Sequence, residues 1–268
     1  LGFNLMATPG YPEVIQNMIG LNTDRGITAF VVGDTPFRLE PTGTKLSEWG
    51  LNTNGALDNG DVGATSFDEY ISDPAKPVPY VPEIHSGRTQ EYMTDDQRFA
   101  ARRPDVLVYQ TDVLQNDITL AGPIVADLLA STSGTDADFI VKVIDVFPDN
   151  FENAKPTNHV MNGYQMLVRG EVMRGKFRNS FEKPEAFVPN QITNVKYTLP
   201  DVAHTFKKGH KLMIQIQSSW FPLFDRNPQT FTDIYNCTDA DFQKSTIRIY
   251  SHNNPINTGV SGIINRHY

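Results

Sequence analysis

The chain has 268 residues, 39% of them hydrophobic, and a mean hydropathy of −0.36, which suits a core-forming protein of one large domain or two small ones and excludes a disordered chain. Lys and Arg number 23 against 31 Asp and Glu, a formal charge of −8 with no basic run, so a phosphate backbone is repelled and the composition argues against nucleic acid as a partner. Cys237 is the single cysteine, which excludes an internal disulfide and any site built on two cysteine ligands, and no run of ~18 apolar residues offers a membrane span.

The chain opens on Leu1-Gly2-Phe3-Asn4, without an initiator Met and without a basic stretch leading into an apolar one. No signal peptide is read there, and the expectation is a chain cut from something longer. Pro12 to Ile19 places a proline at a helix start and apolar residues at helical spacing, so a helix is expected. Leu46 to Ser66 is rich in Asn, Gly, Asp and Thr and reads as a long loop. Short strands follow at Asp105–Tyr109 and Ile118–Ala121. Phe139 to Phe147 is nearly continuously apolar and is expected to be a central strand covered on both faces, ended by Pro148-Asp149. Asp149 to Gly163 reads as a second long loop. Met173 to Arg178 alternates, with Arg174, Lys176 and Arg178 assigned to a wet face. Val195–Leu199, Lys211–Gln217 and Thr246–Tyr250 complete the strands, with Leu212, Ile214 and Ile216 sharing one face, and Asp239–Phe242 offers one short helical turn. Many short strands separated by turn residues predict an all-β, two-sheet sandwich.

Candidate chemistry is sparse. A serine-nucleophile elbow, Gly-x-Ser-x-Gly, is missing; Gly259-Val260-Ser261-Gly262 comes nearest and lacks the last glycine. No spacing selects one of the six histidines as a base. His204 and His210, six apart around Lys207-Lys208-Gly209, are conceivable partners for a shared metal, but no carboxylate is spaced to complete a set, so no metal is assigned. Asp58-Asn59-Gly60-Asp61 lacks the alternating ligands of a calcium loop and reads as a solvated turn, and Gly134 to Asp138 reads as a loop leading into the central strand. Trp220, Phe221, Phe224, Phe231 and Tyr235 lie close in sequence; such a set builds a core or a domain interface, or else a sugar-binding platform.

Several segments then resemble one family. Tyr70-Ile71-Ser72-Asp73-Pro74-Ala75-Lys76-Pro77-Val78-Pro79-Tyr80 is similar to the Tyr-x-x-Asp-Pro-x-x-Pro-Val-Pro element of the cocaine-esterase and X-prolyl dipeptidyl peptidase hydrolases. Arg103 to Tyr109 resembles the strand that opens the family's C-terminal β-domain, Ser131 to Pro148 its central signature, and Gly209-His210-Lys211 with Gln217 to Pro228 a third element. The wording is closest to the α-amino acid ester hydrolases, often labelled glutaryl-7-aminocephalosporanic-acid acylases.

The resemblance implies a jelly-roll sandwich, galactose-binding-like, over residues 67–268, preceded by an irregular arm, 1–66, that links to an upstream α/β-hydrolase domain. Serine, aspartate and histidine of that domain would all precede residue 1, so the chain is expected to be inactive alone: a non-catalytic domain that braces a serine hydrolase and helps line its substrate mouth. By the same resemblance a loop before the first jelly-roll strand, Ile84 to Tyr92, approaches that mouth, making His85, Arg88 and Tyr92 contact candidates. Trp220, Phe221, Asp225, Arg226 and Asn227 are candidates for an interface, with Asp225 and Arg226 pairing to hold their loop. No cofactor is implied. A homo-oligomer is a further possibility, and relatives suggest a periplasmic or secreted protein. The alternative is a carbohydrate-binding jelly roll, for which Trp220, Phe221 and Tyr235 would form a flat exposed row.

Overall fold

The computed structural model describes residues 45–51, 57–58, 67–153, 160–250 and 259–265. The helix expected over Pro12–Ile19 lies outside them. The strands are β1 (Lys45–Leu51), β2 (Leu57–Asp58), β3 (Phe67–Ser72), β4 (Leu107–Gln110), β5 (Ile118–Thr132), β6 (Asp138–Val146), β7 (Gln165–Arg174), β8 (Thr193–Phe206), β9 (Lys211–Gln217), β10 (Ser245–Tyr250) and β11 (Gly259–Asn265). They form two antiparallel sheets. The larger has seven strands, in the order β2-β1-β11-β5-β10-β3 with β8 on the other edge of β5, and the smaller has four, β4-β9-β6-β7. The loop expected over Leu46–Ser66 is therefore interrupted: β1 pairs with β11, Lys45 opposite Ile264, and β2 pairs with β1.

The sheets face each other across one apolar layer. Phe139, Val141 and Val143 of β6 and Leu212, Ile214 and Ile216 of β9 meet Ile124, Ala126 and Leu128 of β5 and Val195 and Leu199 of β8. Burial of each large aliphatic or aromatic side chain there contributes roughly 1.5–3 kcal/mol. The short strands expected at Ile118–Ala121 and Val195–Leu199 are the visible parts of strands of 15 and 14 residues. Both run through a proline, Pro123 or Pro200, and both prolines sit at one bulge, where the register shifts between Gly122 and Ile124. A bulge is where a strand tolerates a residue with no N–H. β9 coincides with its predicted span, and β6 is buried along both faces from Asp138 to Asp145.

The outer face of the small sheet is covered by residues 73–106 and 218–224. Val78, Ala100 and Val106 form one cluster over it, and Tyr80, Val81 and Trp220 join Ile140 in another. Gln215 and Gln217 are buried for that reason, although they point away from the inter-sheet core. The wet face assigned to Arg174, Lys176 and Arg178 is corrected by the structure. β7 ends at Arg174, residues 175–177 make a 3-10 turn, and each cation is tied down. Arg174 binds Asp138, Lys176 donates to the Thr232 carbonyl at 2.8 Å, and Arg178 donates to the carbonyls of Gly175, Glu185 and Ala186. The short helical turn expected near Asp239 is a 3-10 turn over Asp239–Asp241, closed by a capping box with Thr238.

Candidate functional site

Two regions gather the residues singled out by sequence. The first is the covering arm. Tyr80 N–H donates to Phe221 O at 2.9 Å and Phe221 N–H donates to Val78 O at 3.0 Å, which fastens residues 78–80 to the 218–224 segment. From there residues 81–92 leave the body as a loop. Its neck is closed by the Tyr80 hydroxyl, which accepts from Thr89 N–H at 3.0 Å and donates to Gly87 O at 3.3 Å. His85 and Arg88 lie exposed in this loop, and Ile84 is fully exposed at 103%. Tyr92 folds back, with ring centroids 5.8 Å from Tyr80 and 6.2 Å from Trp220. The structure thus brings His85, Arg88 and Tyr92 into one loop, with Tyr92 in its root.

Beneath the arm lies a residue that sequence reading missed. Lys142, at the centre of β6, is fully buried and has no carboxylate partner among the described residues. Its ammonium nitrogen donates to Gln97 Oε1 at 3.1 Å and stands 5.0 Å from the Trp220 ring centroid. Burial pulls its pKa down to about 7. The only sequence signal was a lone lysine inside an apolar strand.

The second region is the end of the sandwich where β6 begins and β7 finishes. Asp138 is buried and faces Arg174, its cross-strand partner, through two bonds of 3.1 Å. Asn227 donates to the same carboxylate at 2.7 Å and accepts from Gln229 N–H at 2.7 Å. Asp136 accepts from the amides of Ala137 and Lys176, each at 2.9 Å. Burial, with the charge of Asp138 beside it, pushes the Asp136 pKa up to about 6. Asp138 is likewise raised by burial, while Arg174 pulls it back.

The interface candidates divide between these regions. Trp220 is buried at 5%, whereas Phe221 sits at the surface. The expected Asp225–Arg226 pair does not form. Arg226 donates to the Pro74 carbonyl at 2.9 Å and stacks over Phe242 at 4.8 Å, and the Asp225 carbonyl takes a bond from Arg174 at 2.9 Å. Asn227 is the buried member, held by Asp138. With Trp220 inside, the flat exposed row of Trp220, Phe221 and Tyr235 required for a sugar platform is not present.

At the opposite end, His204 and His210 do converge, but on a carboxylate that spacing did not reveal. His204 Nε2 lies 2.9 Å from Asp145 Oδ2 and His210 Nδ1 lies 2.8 Å from Asp145 Oδ1. Asp145 is on β6 and His204 on β8, so the trio clasps one sheet to the other.

The family description "X-Pro dipeptidyl-peptidase C-terminal non-catalytic domain" matches residues 20–255. The chain is 31% identical over 227 residues to the cocaine esterase of Rhodococcus sp. (strain MB1 Bresler), covering 84% of this chain and 37% of that protein. It is similar to the crystal structure of an aminopeptidase from a marine sediment archaeon, Thaumarchaeota archaeon, at 40% identity and a TM-score of 0.77, covering 84% of this chain and 37% of that one. An α-amino acid ester hydrolase gives 37% identity and a TM-score of 0.73, over 81% of this chain and 36% of that one. The chain therefore spans little more than a third of the length of these relatives. A sandwich of two antiparallel sheets, matched along most of its length, belongs to the X-Pro dipeptidyl-peptidase C-terminal non-catalytic domain family.

Proposed function

We propose that this chain is the accessory β-domain of a serine hydrolase that cleaves acyl esters or amides. It braces an upstream α/β-hydrolase domain and lends the 81–92 loop to the rim of the substrate mouth. The observation that carries this reading is the loop itself. Its neck is fastened by Tyr80 and its root by Tyr92 on Trp220, while Ile84, His85 and Arg88 are presented to solvent. A loop fastened at its neck and root, with residues 82–88 exposed between them, suits contact with another body. The printed names of the relatives, an esterase, an aminopeptidase and an ester hydrolase, support acyl transfer to water as the parent reaction. Such a reaction needs a nucleophile, a base and oxyanion donors held together, which the upstream domain would supply.

The test compares the full-length polypeptide with this chain on an activated aryl ester. Turnover sensitive to a serine-directed inhibitor is expected in the full-length protein and not in the chain alone. In the full-length protein, Tyr80→Phe frees the loop neck and is expected to raise KM several-fold with little change in kcat. Inhibitor-sensitive turnover by the isolated chain would overturn the assignment.

A further inference from the structure

Lys142 stands in the middle of the small sheet's outer face, opposite Gln215 of β9 and Gly170 of β7. Gly170 leaves the room that lets an indole cover the lysine: a Cβ there would lie 3.1 Å from the Trp220 ring and 3.5 Å from Lys142 Cγ. The rest of the cover is residues 94–101. Gln97 Oε1 takes the one hydrogen bond that the lysine nitrogen makes among the described residues, and the Phe99 ring centroid lies 5.9 Å from that nitrogen. This segment is pinned to the body over a short stretch. Gln97 N–H donates to the Gln165 carbonyl at 2.9 Å, Gln165 N–H donates to Asp96 Oδ1 at 3.2 Å, and the Tyr164 hydroxyl donates to the Thr94 carbonyl. These three bonds fall on residues 164 and 165, where β7 begins, and a longer one of 3.4 Å joins Gln215 Nε2 to the Gln97 carbonyl. The apolar area the segment buries comes from Ala100 and part of Phe99, so little hydrophobic burial opposes its lifting.

We propose that residues 94–101 form a lid over Lys142 that opens on proton uptake, so that acid loosens this segment while the sandwich beneath stays folded. An ammonium carries three donors and needs water or an opposite charge. Under the closed lid it has one amide oxygen and two ring faces, and attraction to the rings offsets only part of the lost hydration. The charged groups on the elements around it are engaged elsewhere. On the lid Asp96 pairs with Arg98 at 2.5 Å, and Asp95 lies in the field of Glu91, His85 and Glu83. On β7 Glu171 accepts from Val172 N–H and Arg169 donates to the Asp201 carbonyl. On β6 Asp138 holds Arg174 and Asp145 holds His204 and His210. Residues 218–224 carry no charge, and Lys211 stands at the far end of β9. Burial alone therefore depresses Lys142, to about 7. The closed form keeps the amine neutral and the open form lets it charge. Opening is weakest near the ordinary lysine range, about pH 10, grows as pH falls, and levels off below about pH 7.

The experiment follows amide hydrogen exchange in the full-length polypeptide between pH 6 and 9, with rates divided by the intrinsic amide rates to give opening constants. The amides of Gln97, Ala100 and Ala101 report the lid and those of β6 the sandwich. The lid's opening constant is expected to exceed that of β6 at every pH. It should rise about tenfold from pH 9 to 8, several-fold more by pH 7, and by no more than about twofold from pH 7 to 6. Lys142→Met should hold it constant within about twofold across the range. Gln97→Glu, which gives the ammonium a carboxylate, should also flatten the profile between pH 7 and 9 with the lid still closed. Should Lys142→Met fail to fold, the parent profile and Gln97→Glu decide the matter. Equal opening constants for lid and β6 would show that the segment opens only with the whole sandwich and would overturn the lid. A flat profile in the parent, or a slope that survives in either variant, would overturn the role of Lys142.

Discussion

The two ends of the sandwich are fastened by different means. At the His204 end the clasp joins sheet to sheet: one buried carboxylate, Asp145, takes a histidine from each side. At the Asp138 end the buried charges reach outward and hold loops: Asp138 and Arg174 grip Asn227 and the Asp225 carbonyl, and Lys176 grips Thr232. A buried ion pair is weak evidence for net stability, because desolvation offsets the attraction. Its use here is geometric. It fixes loops that carry Phe231 and Tyr235 but have little apolar mass of their own to bury. The lesson is that the sandwich keeps itself closed at one end and keeps a surface in shape at the other.

The largest effect is expected from a glycine at the loop-bearing end. A Cβ at Gly175 would lie 2.5 Å from the Phe187 ring and 2.6 Å from the Ala137 carbonyl. Gly175→Ala should therefore cost about 3 kcal/mol by urea denaturation, as overpacking does, and loosen residues 176–192. The comparison glycine at the other end, Gly209, has φ of 88° with its nearest contact at 3.9 Å, so it is kept for its backbone and not for space. Gly209→Ala should cost about 1–2 kcal/mol and leave the far loops unchanged. Equal loosening of both ends by either change would erase the distinction.

A second test sharpens the electrostatic part. Burial raises Asp136 to about 6 in the folded chain, above its ordinary value in the unfolded one, so the folded state holds the proton more tightly than the unfolded one. That stability is complete below about pH 4 and is lost as pH rises to about 6, at up to about 1.4 kcal/mol per pH unit. Asp136→Asn keeps an acceptor for the amides of Ala137 and Lys176 and removes the charge beside Asp138. The variant should be more stable than the parent above pH 6, with a flatter profile between pH 4 and 6. A variant that is destabilised at pH 7 would contradict this.

How legible these ends were in the sequence follows from how local their signals are. β9 was readable to the residue because alternation of Leu212, Ile214 and Ile216 is a property of seven adjacent positions. Only part of β5 and of β8 is legible in the sequence because Pro123 and Pro200 announce breaks, and only their pairing shows that the two breaks fall at one bulge. β1 was hidden in a segment whose composition is that of a loop, and its pairing with β11 comes from the far end of the chain. The candidate residues fared similarly. Ile84 to Tyr92 does fall within one loop, and of the readings left open for Trp220 the structure takes burial, but Asp225 and Arg226 are neighbours in sequence that bind elsewhere, and Asp145 joins His204 and His210 across separations of 59 and 65 residues. Lys142 was unreadable as a site because its partners, Gln97 and Trp220, come from the covering arm.

The loops at the Asp138 end are expected to be ordered in this chain by itself. Native-state hydrogen exchange of this chain alone tests it most directly. The amides of Lys176, Phe187, Asn190 and Phe231, bound to Asp136, Thr135 and Thr132, are expected to exchange with opening free energies within about 1 kcal/mol of those of β6. Exchange of those four amides at the rate of an unprotected chain, while β6 stays protected, would contradict it.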